Sequence, residues 1–302
     1  MSVELITLCE NTATMPGFLG DWGLSILIKD GNERILFDTG WSNHVALHNA
    51  KIFDIDLSTV GKIVLSHAHK DHTGGLREVI RKTGKTEIIA HPAVWDEKYL
   101  RAAQPLVNFW NEDYPLAEEV SGARIPYQEK IKFGGIPFRR CELEYLGADF
   151  KLSKKPVQVT ENVFTTGEVP LETEYEKIGS AFFYKDQDVF YEDTLPDDLS
   201  LIIKTGKGLV VVLGCAHRGM INNVRHAQKV TGEERIYAVI GGTHLIGAPD
   251  DRINKSIQDL RKIGVKKIGV SHCTGLKASA MLMQEFKEDF FLNNAGSILV
   301  FS

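Results

Sequence analysis

Apolar residues in the first third of the chain come in short alternating runs separated by turn residues, the period-two pattern of half-buried strands. VELITLC (3–9) and GLSILIK (23–29) read as strands, and Asp30-Gly31 turns the second into RILFDTG (34–40). KIVLS (62–66) suits a buried strand, GGLREVIRKTG (74–84) a helix closed by Gly84, and TEIIAHP (86–92) a further strand. The pattern then breaks. Between about 93 and 160, Pro105, Pro115, Pro126 and Pro137 punctuate a mixed helix–loop stretch. No low-complexity linker bounds it, so it is expected to be a lid or insertion on a single domain spanning 1–302.

Strand signals resume at VQVTENVFTTG (157–167), SAFFYKD (180–186) and LSLIIKTGKGLVVVLG (199–214), the last folded by a Thr205–Gly208 turn. The final third alternates: helices are predicted at 219–231, 250–263 and 275–289, and strands at 235–240, 266–271 and 297–301. Strands first and βα alternation later predict an α/β architecture of mixed sheets with helices packed outside. No internal repeat is visible.

Composition narrows the class without naming a chemistry. The 302 residues are 43% hydrophobic and 25% charged, which excludes a disordered chain. A net charge of −5 makes bulk nucleic-acid binding a poor fit. Cys9, Cys141, Cys215 and Cys273 form no CxxC pair, so a reducing compartment is the simpler inference. With no basic leader at the start and no long apolar run, no membrane association is expected; the reading is a cytoplasmic protein, and self-association is left open.

The chemistry lies in where the ten histidines fall. Ser66-His67-Ala68-His69-Lys70-Asp71-His72-Thr73-Gly74-Gly75 packs three imidazoles and a carboxylate into six residues, between an apolar strand and a helix. Imidazole and carboxylate together suit zinc, iron or manganese, so one or two divalent ions per chain are expected. Two glycines are expected to let the backbone turn and pack closely. Further ligands must come from other strand ends. His217, in GCAH after the VVVL strand, and His272, in SHCTG after the IGV strand, are the best candidates. His91 and His244 also close strands and are read first as substrate contacts or as supports for the ligands, with direct metal ligation or a structural role as the alternatives. Thr274, beside His272, is grouped with them. His44, His48 and His226 read as solvent-facing. Cys215 and Cys273 each neighbour a candidate ligand, so oxidation there could perturb the site.

LSHAHKDHTGGL (65–76) resembles the signature of the metallo-β-lactamase superfamily, with FDTG (37–40) as its earlier strand-end motif. AHP (90–92), TTGEVP (165–170), GCAHRGMINN (214–223), VIGGTHL (239–245) and SHCTG (271–275) narrow the resemblance. Together they are similar to the 7,8-dihydropterin-6-yl-methyl-4-(β-D-ribofuranosyl)aminobenzene-5′-phosphate synthase-like subfamily. The resemblance implies an αββα sandwich with a metal site at one edge. It implies that His67 and His69 hold one metal, Asp71 and His72 the other, and that His217 and His272 are the later ligands. The superfamily usually adds an aspartate bridging both metals, but this chain has Gly214-Cys215 at that point. Cys215, Asp198 or Glu168 could stand in its place, or no protein bridge exists.

Two reactions follow. A metal-activated water, held also by Asp71 as the catalytic residue, could hydrolyse a phosphoester or lactone. Alternatively, the metal could stabilise pyrophosphate leaving a pterin while an arylamine ribose phosphate attacks. A non-catalytic metal-binding protein is the third reading. The substrate is expected to be a phosphorylated small molecule. Trp95, Phe109, Trp110 or Tyr114 would stack on a flat ring, while Arg218, Arg139, Arg140 or the helix starts after His217 and His272 would meet phosphate.

Overall fold

Successive side chains along a strand point to opposite faces of its sheet, and the apolar strands of this protein use both faces. Along Ser25–Asp30, Ile26 and Ile28 join one buried cluster while Leu27 joins another. Glu33–Phe37 repeats the split, with Ile35 and Phe37 on one side and Leu36 on the other. Gly208–Leu213 does the same in the second half of the chain, sending Val210 and Val212 one way and Leu209, Val211 and Leu213 the other. Strands apolar on both faces must be covered on both, which dictates four layers.

The structure is a computed structural model that describes residues 2–101 and 131–302. A seven-stranded sheet is built from the first half of the chain and closed by the last strand, Ile298–Phe301, beside Val3–Cys9. A six-stranded sheet is built from the second half. One core lies between the sheets, joining Val3, Ile28 and Phe37 to Leu201, Val212 and Ile240. A second lies under the helices Val45–Ile52, Leu76–Thr83 and Arg140–Tyr145, and a third under Met220–Thr231, Asp250–Ile263 and Leu276–Phe286. This is the expected αββα sandwich. No helix among the described residues is long and apolar enough to cross a membrane.

The details depart from the sequence reading in four places. The expected 157–167 strand shrinks to Val163–Thr165, because the chain doubles back at Thr160, whose hydroxyl donates to Asp30 Oδ2 at 2.6 Å. The 34–40 strand stops at Phe37, because Asp38 turns into the left-handed region at φ 60°. Part of the 93–160 stretch lies in the body of the fold: Ala148–Leu152 is an edge strand of the seven-stranded sheet, and Leu143 is fully buried. Trp95 packs edge-on against Phe150, at 5.0 Å between rings. Phe109, Trp110 and Tyr114 lie outside the described residues. From the same stretch, Glu97–Arg101 and Ile131–Phe133 join Phe182–Asp186 and Val189–Glu192 in a small antiparallel sheet.

Gly74 and Gly75 have ordinary right-handed helical angles, so no special turn requires them. Space does. A Cβ on Gly74 would stand 1.9 Å from the Trp41 carbonyl oxygen, and one on Gly75 2.3 Å from that of Thr39.

Candidate metal centre

Each of the two large sheets contains a run of parallel strands whose carboxyl ends open on the same site. The chain leaves several of these ends in the left-handed region without glycine: Asp38, Ala216, His244 and His272 have φ of 60°, 52°, 48° and 51°. Such backbone costs on the order of 1 kcal/mol or more per residue and persists only where the surroundings impose it. Here it turns side chains off the strand axis and into a shared space.

His67, His69 and His217 form a first donor group, all buried. His67 Nε2 is 3.0 Å from His69 Nδ1 and 3.2 Å from His217 Nε2. A proton can satisfy only one such contact at a time, so lone pair is left facing lone pair, an arrangement that a cation at the common point relieves. Burial, reinforced by the neighbouring imidazoles, holds His67 and His217 well below the ordinary histidine value. Burial also brings His69 down to about 4 against the pull of Asp71 and Asp197. Neutral imidazole is the form that binds metal. The outer nitrogen of His67 meets Ser66 Oγ at 2.9 Å, whereas His217 Nδ1 is buried with no partner among the described residues.

Asp71, His72, Cys215 and His272 form a second group. His72 Nε2 is 3.1 Å from Cys215 Sγ, and His272 Nε2 is 3.2 Å from Asp71 Oδ2. Both imidazoles are oriented from behind. His72 Nδ1 donates to Asp38 Oδ2 at 2.6 Å, and Asp38 also accepts from the Ser66 amide and hydroxyl at 2.7 and 2.6 Å. His272 Nδ1 meets Asn11 Oδ1 at 2.9 Å, while its backbone amide donates to Glu10 Oε1 at 2.6 Å. Such outer partners fix the ring that a metal sees. Burial opposes a charge on His72, but Asp38 and Asp71 outweigh it and lift the group to about 9. Burial likewise opposes ionisation of Asp71, yet His72 and His272 hold its carboxyl well below the usual range. The donors fit a divalent cation in both groups: neutral imidazoles in one, and carboxylate, thiol and imidazole in the other.

All six expected ligands, His67, His69, Asp71, His72, His217 and His272, therefore come together. Of the three residues considered for the place of the bridging aspartate, Cys215 is the one in a donor group. Asp198 Oδ2 accepts the Arg218 amide at 2.9 Å. Glu168 faces His91 Nε2 at 3.5 Å and Arg218 Nη1 at 3.8 Å. The Arg218 side chain is nearly buried and donates to the Thr194 carbonyl at 3.1 Å, and it does not line the cavity above the metal groups. His91 Nδ1 accepts the Ala93 amide, which leaves the proton on Nε2, facing Glu168. Thr274 Oγ1 donates to the Ser271 carbonyl and accepts from Thr243 Oγ1 at 3.0 Å, tying two strand ends together. Arg140 pairs with Glu144 on the surface, and His226, expected in solvent, is half-buried against the Thr166 carbonyl.

Sequence reasoning missed Glu10 and Asn11, which directly follow the strand Val3–Cys9, and Lys98, which lies within a strand; none carries a motif. It quoted Asp38 within FDTG without giving it a role, although its place at a strand end was a usable signal.

A cavity of about 410 Å³ opens over both groups. His69, Asp71, Cys215 and His217 line its floor; Trp22, Trp41, Phe133 and Phe182 supply aromatic walls, and Lys70, Arg101 and Lys132 bring positive charge. Hollows of about 710, 580 and 460 Å³ elsewhere are larger, but they enclose none of the donor groups found among the described residues.

Comparison with known proteins agrees with this geometry. The Metallo-beta-lactamase superfamily model matches residues 23–109, a span that includes the whole 67–72 histidine motif. The 7,8-dihydropterin-6-methyl-4-(beta-D-ribofuranosyl)-aminobenzene-5'-phosphate synthase of Methanocaldococcus jannaschii is 36% identical, over 99% of this chain and 97% of its own. An uncharacterized protein of the same organism is 32% identical over 97% of this chain and 98% of its own. The crystal structure of Tm1679, a metal-dependent hydrolase of the beta-lactamase superfamily, superposes with a TM-score of 0.78 at 26% identity, covering 98% of both chains. Four layers, convergent strand ends and a relative alike over nearly its whole length lead to one conclusion: this chain belongs to the metallo-β-lactamase superfamily.

Proposed function

We propose that this protein is a metal-dependent enzyme that joins a pterin-type substrate to an aminobenzene ribose phosphate with release of pyrophosphate. The observation that carries this reading is the 36% identity with the archaeal synthase over 99% of the chain. The cavity supports it. Trp22 and Trp41 are half-exposed at its mouth, flat and apolar, and Phe182 stacks on His69 at 5.4 Å. These faces suit a planar heterocycle. Lys70, 4.5 Å from the centre of the Trp41 ring, stands beside them with charge for a phosphate.

A divalent cation held by the two groups would supply Lewis-acid stabilisation to phosphoryl oxygens. The thiol of Cys215 favours zinc or iron over manganese in the second group. The chain's own residues do the rest. The walls hold the ring and the amine in line, and burial keeps competing water out. As the amine nitrogen forms the new C–N bond, the C–O bond to pyrophosphate breaks. The nitrogen then gives its proton to solvent, since an alkylated arylammonium is acidic enough to lose it at neutral pH, and Asp71 is the carboxylate on the cavity floor that could relay it.

A second reading, hydrolysis of a phosphoester or lactone, rests on the likeness to Tm1679. One assay separates the two: metal-loaded protein is incubated with a pterin diphosphate, with and without the arylamine. Amine-dependent pyrophosphate release is expected. Turnover of phosphodiesters or lactones alone would replace the synthase reading with the hydrolase one. His67→Ala/His69→Ala should lose metal by elemental analysis, and full retention would end both.

A further inference from the structure

Beside the second metal group, Cys215 meets two more donor atoms. Cys215 Sγ, Cys273 Sγ and a ring nitrogen of His244 lie within 4.8 Å of one another. They come from three adjacent parallel strand ends, following Gly208–Leu213, Ile236–Gly242 and Lys267–Ser271. Their approach is built into the backbone. A Cβ on Gly242 would stand 2.7 Å from Cys273 Sγ and 2.4 Å from the Gly214 carbonyl oxygen, so only glycine lets the sulfur reach across. The Ile246 amide donates to the Cys273 carbonyl at 3.1 Å, and the Thr243–Thr274 hydroxyl pair adds a second tie between the same two ends. His244 sits in left-handed backbone, and its Nδ1 is buried without a hydrogen-bond partner among the described residues. All three residues line the cavity.

Two sulfurs and an imidazole, with no carboxylate in the set, make a soft donor group. We propose that Cys215, His244 and Cys273 form a third cation seat for a thiophilic ion of the Zn²⁺ or Fe²⁺ class. It shares the Cys215 sulfur with the Asp71–His72–Cys215–His272 group, since a thiolate carries lone pairs enough to bridge two cations. Filling the seat displaces the Cys273 thiol proton to solvent, and the Cys215 proton as well where the neighbouring group is empty; the bonds formed are two metal–sulfur and one metal–nitrogen. Three protein donors leave a tetrahedral ion one position, open to the cavity for water or a substrate atom. The seat does not depend on which reaction the enzyme performs.

The test is a Co²⁺ titration of the reduced, metal-free full chain under argon, following stoichiometry and thiolate-to-cobalt charge-transfer absorption. Cys273→Ser and His244→Asn should each bind one equivalent fewer than wild type. Cys273→Ser should also lose much of the charge-transfer band and keep the part due to Cys215. Equal stoichiometry and an unchanged band in wild type and both variants would overturn the third seat. His67→Ala/His69→Ala serves as the internal reference. If it loses an ion while Cys273→Ser does not, the third seat fails and the imidazole site stands. If Cys273→Ser loses an ion and the double variant does not, the reverse holds.

Discussion

Ala68 donates its backbone N–H to Asp197 Oδ2 at 2.8 Å, and the other oxygen of that carboxylate receives Lys98 Nζ at 3.0 Å. The amide lies between His67 and His69, so the Lys98–Asp197 pair sets the height of the loop that presents both imidazoles. Lys98 is fully buried and also binds Asp193 Oδ2 at 2.8 Å. It comes from the small antiparallel sheet, which is thereby anchored to the metal loop. Lys98→Met would leave two buried carboxylates without their cation. Breaking a buried pair in this way costs about 3–5 kcal/mol. Urea unfolding should show a loss of that order, and a change under about 1 kcal/mol would mean that water replaces the ammonium.

Cys215 brings a thiol into the second donor group, its Sγ 3.1 Å from His72 Nε2. Removing outer partners of metal ligands already costs about 10–100-fold in affinity or activity. Cys215→Ala should therefore cost more than about 100-fold and release an ion in equilibrium dialysis. Cys215→Asp should retain the ion while shifting preference from Zn²⁺ toward Mn²⁺, because oxygen donors suit the harder cation. Unaltered metal content and preference in both variants would place the thiol outside the ligand set.

Glu176 predicts a pH dependence away from the metal. Burial pushes its carboxyl up to about 7, even though it accepts the Ile221 and Asn222 amides at 2.8 and 2.9 Å. The folded state then holds a proton between about pH 4.5 and 7 that the unfolded chain has released. Stability should fall as pH rises through that window, by at most roughly 3 kcal/mol from this group. Glu176→Gln cannot release a proton, so the decline measured by denaturant unfolding between pH 5 and 8 should flatten. An identical slope in wild type and variant would assign it to other groups.

Gly74 is needed for room rather than for conformation. An alanine Cβ would meet the Trp41 carbonyl oxygen at 1.9 Å and that of Lys70 at 2.8 Å. Overpacking of this kind costs typically about 1–3 kcal/mol, and backbone atoms cannot step aside as a flexible side chain can. Thermal unfolding of Gly74→Ala should show at least that loss, together with weaker metal retention, because the same turn carries Asp71 and His72. A melting curve equal to wild type would contradict the packing described here.

Much of the fold was legible because its strands carry period-two or continuous apolar runs and its two longest helices end at glycine. Gly232 and Gly264 both adopt the left-handed conformation that closes a helix. Irregular segments were less legible. Val157–Gly167 looks like one strand in sequence, but the Thr160 hydroxyl captured by Asp30, 130 residues away, bends it back. The aromatic wall of the cavity was sought at Trp95, which packs on Phe150, while Trp22 and Trp41 stand at the mouth. A tryptophan in a loop carries no local signal of which way it faces.

By itself, the sequence determined that His67, His69, Asp71 and His72 share one neighbourhood. Six residues at a strand–helix junction have little freedom to separate, whatever the rest of the chain does. It also placed His217 and His272 at strand ends, where ligands collect. Only the tertiary structure decided that Cys215, rather than Asp198 or Glu168, meets His72, across 143 residues of chain. It alone brought Glu10 to the His272 amide across 262 residues, and Lys98 to Asp197 across 99. Those pairings depend on strand order and on the facing of two sheets. Burial fixes that facing through many small apolar contacts, and no single position along the chain encodes it.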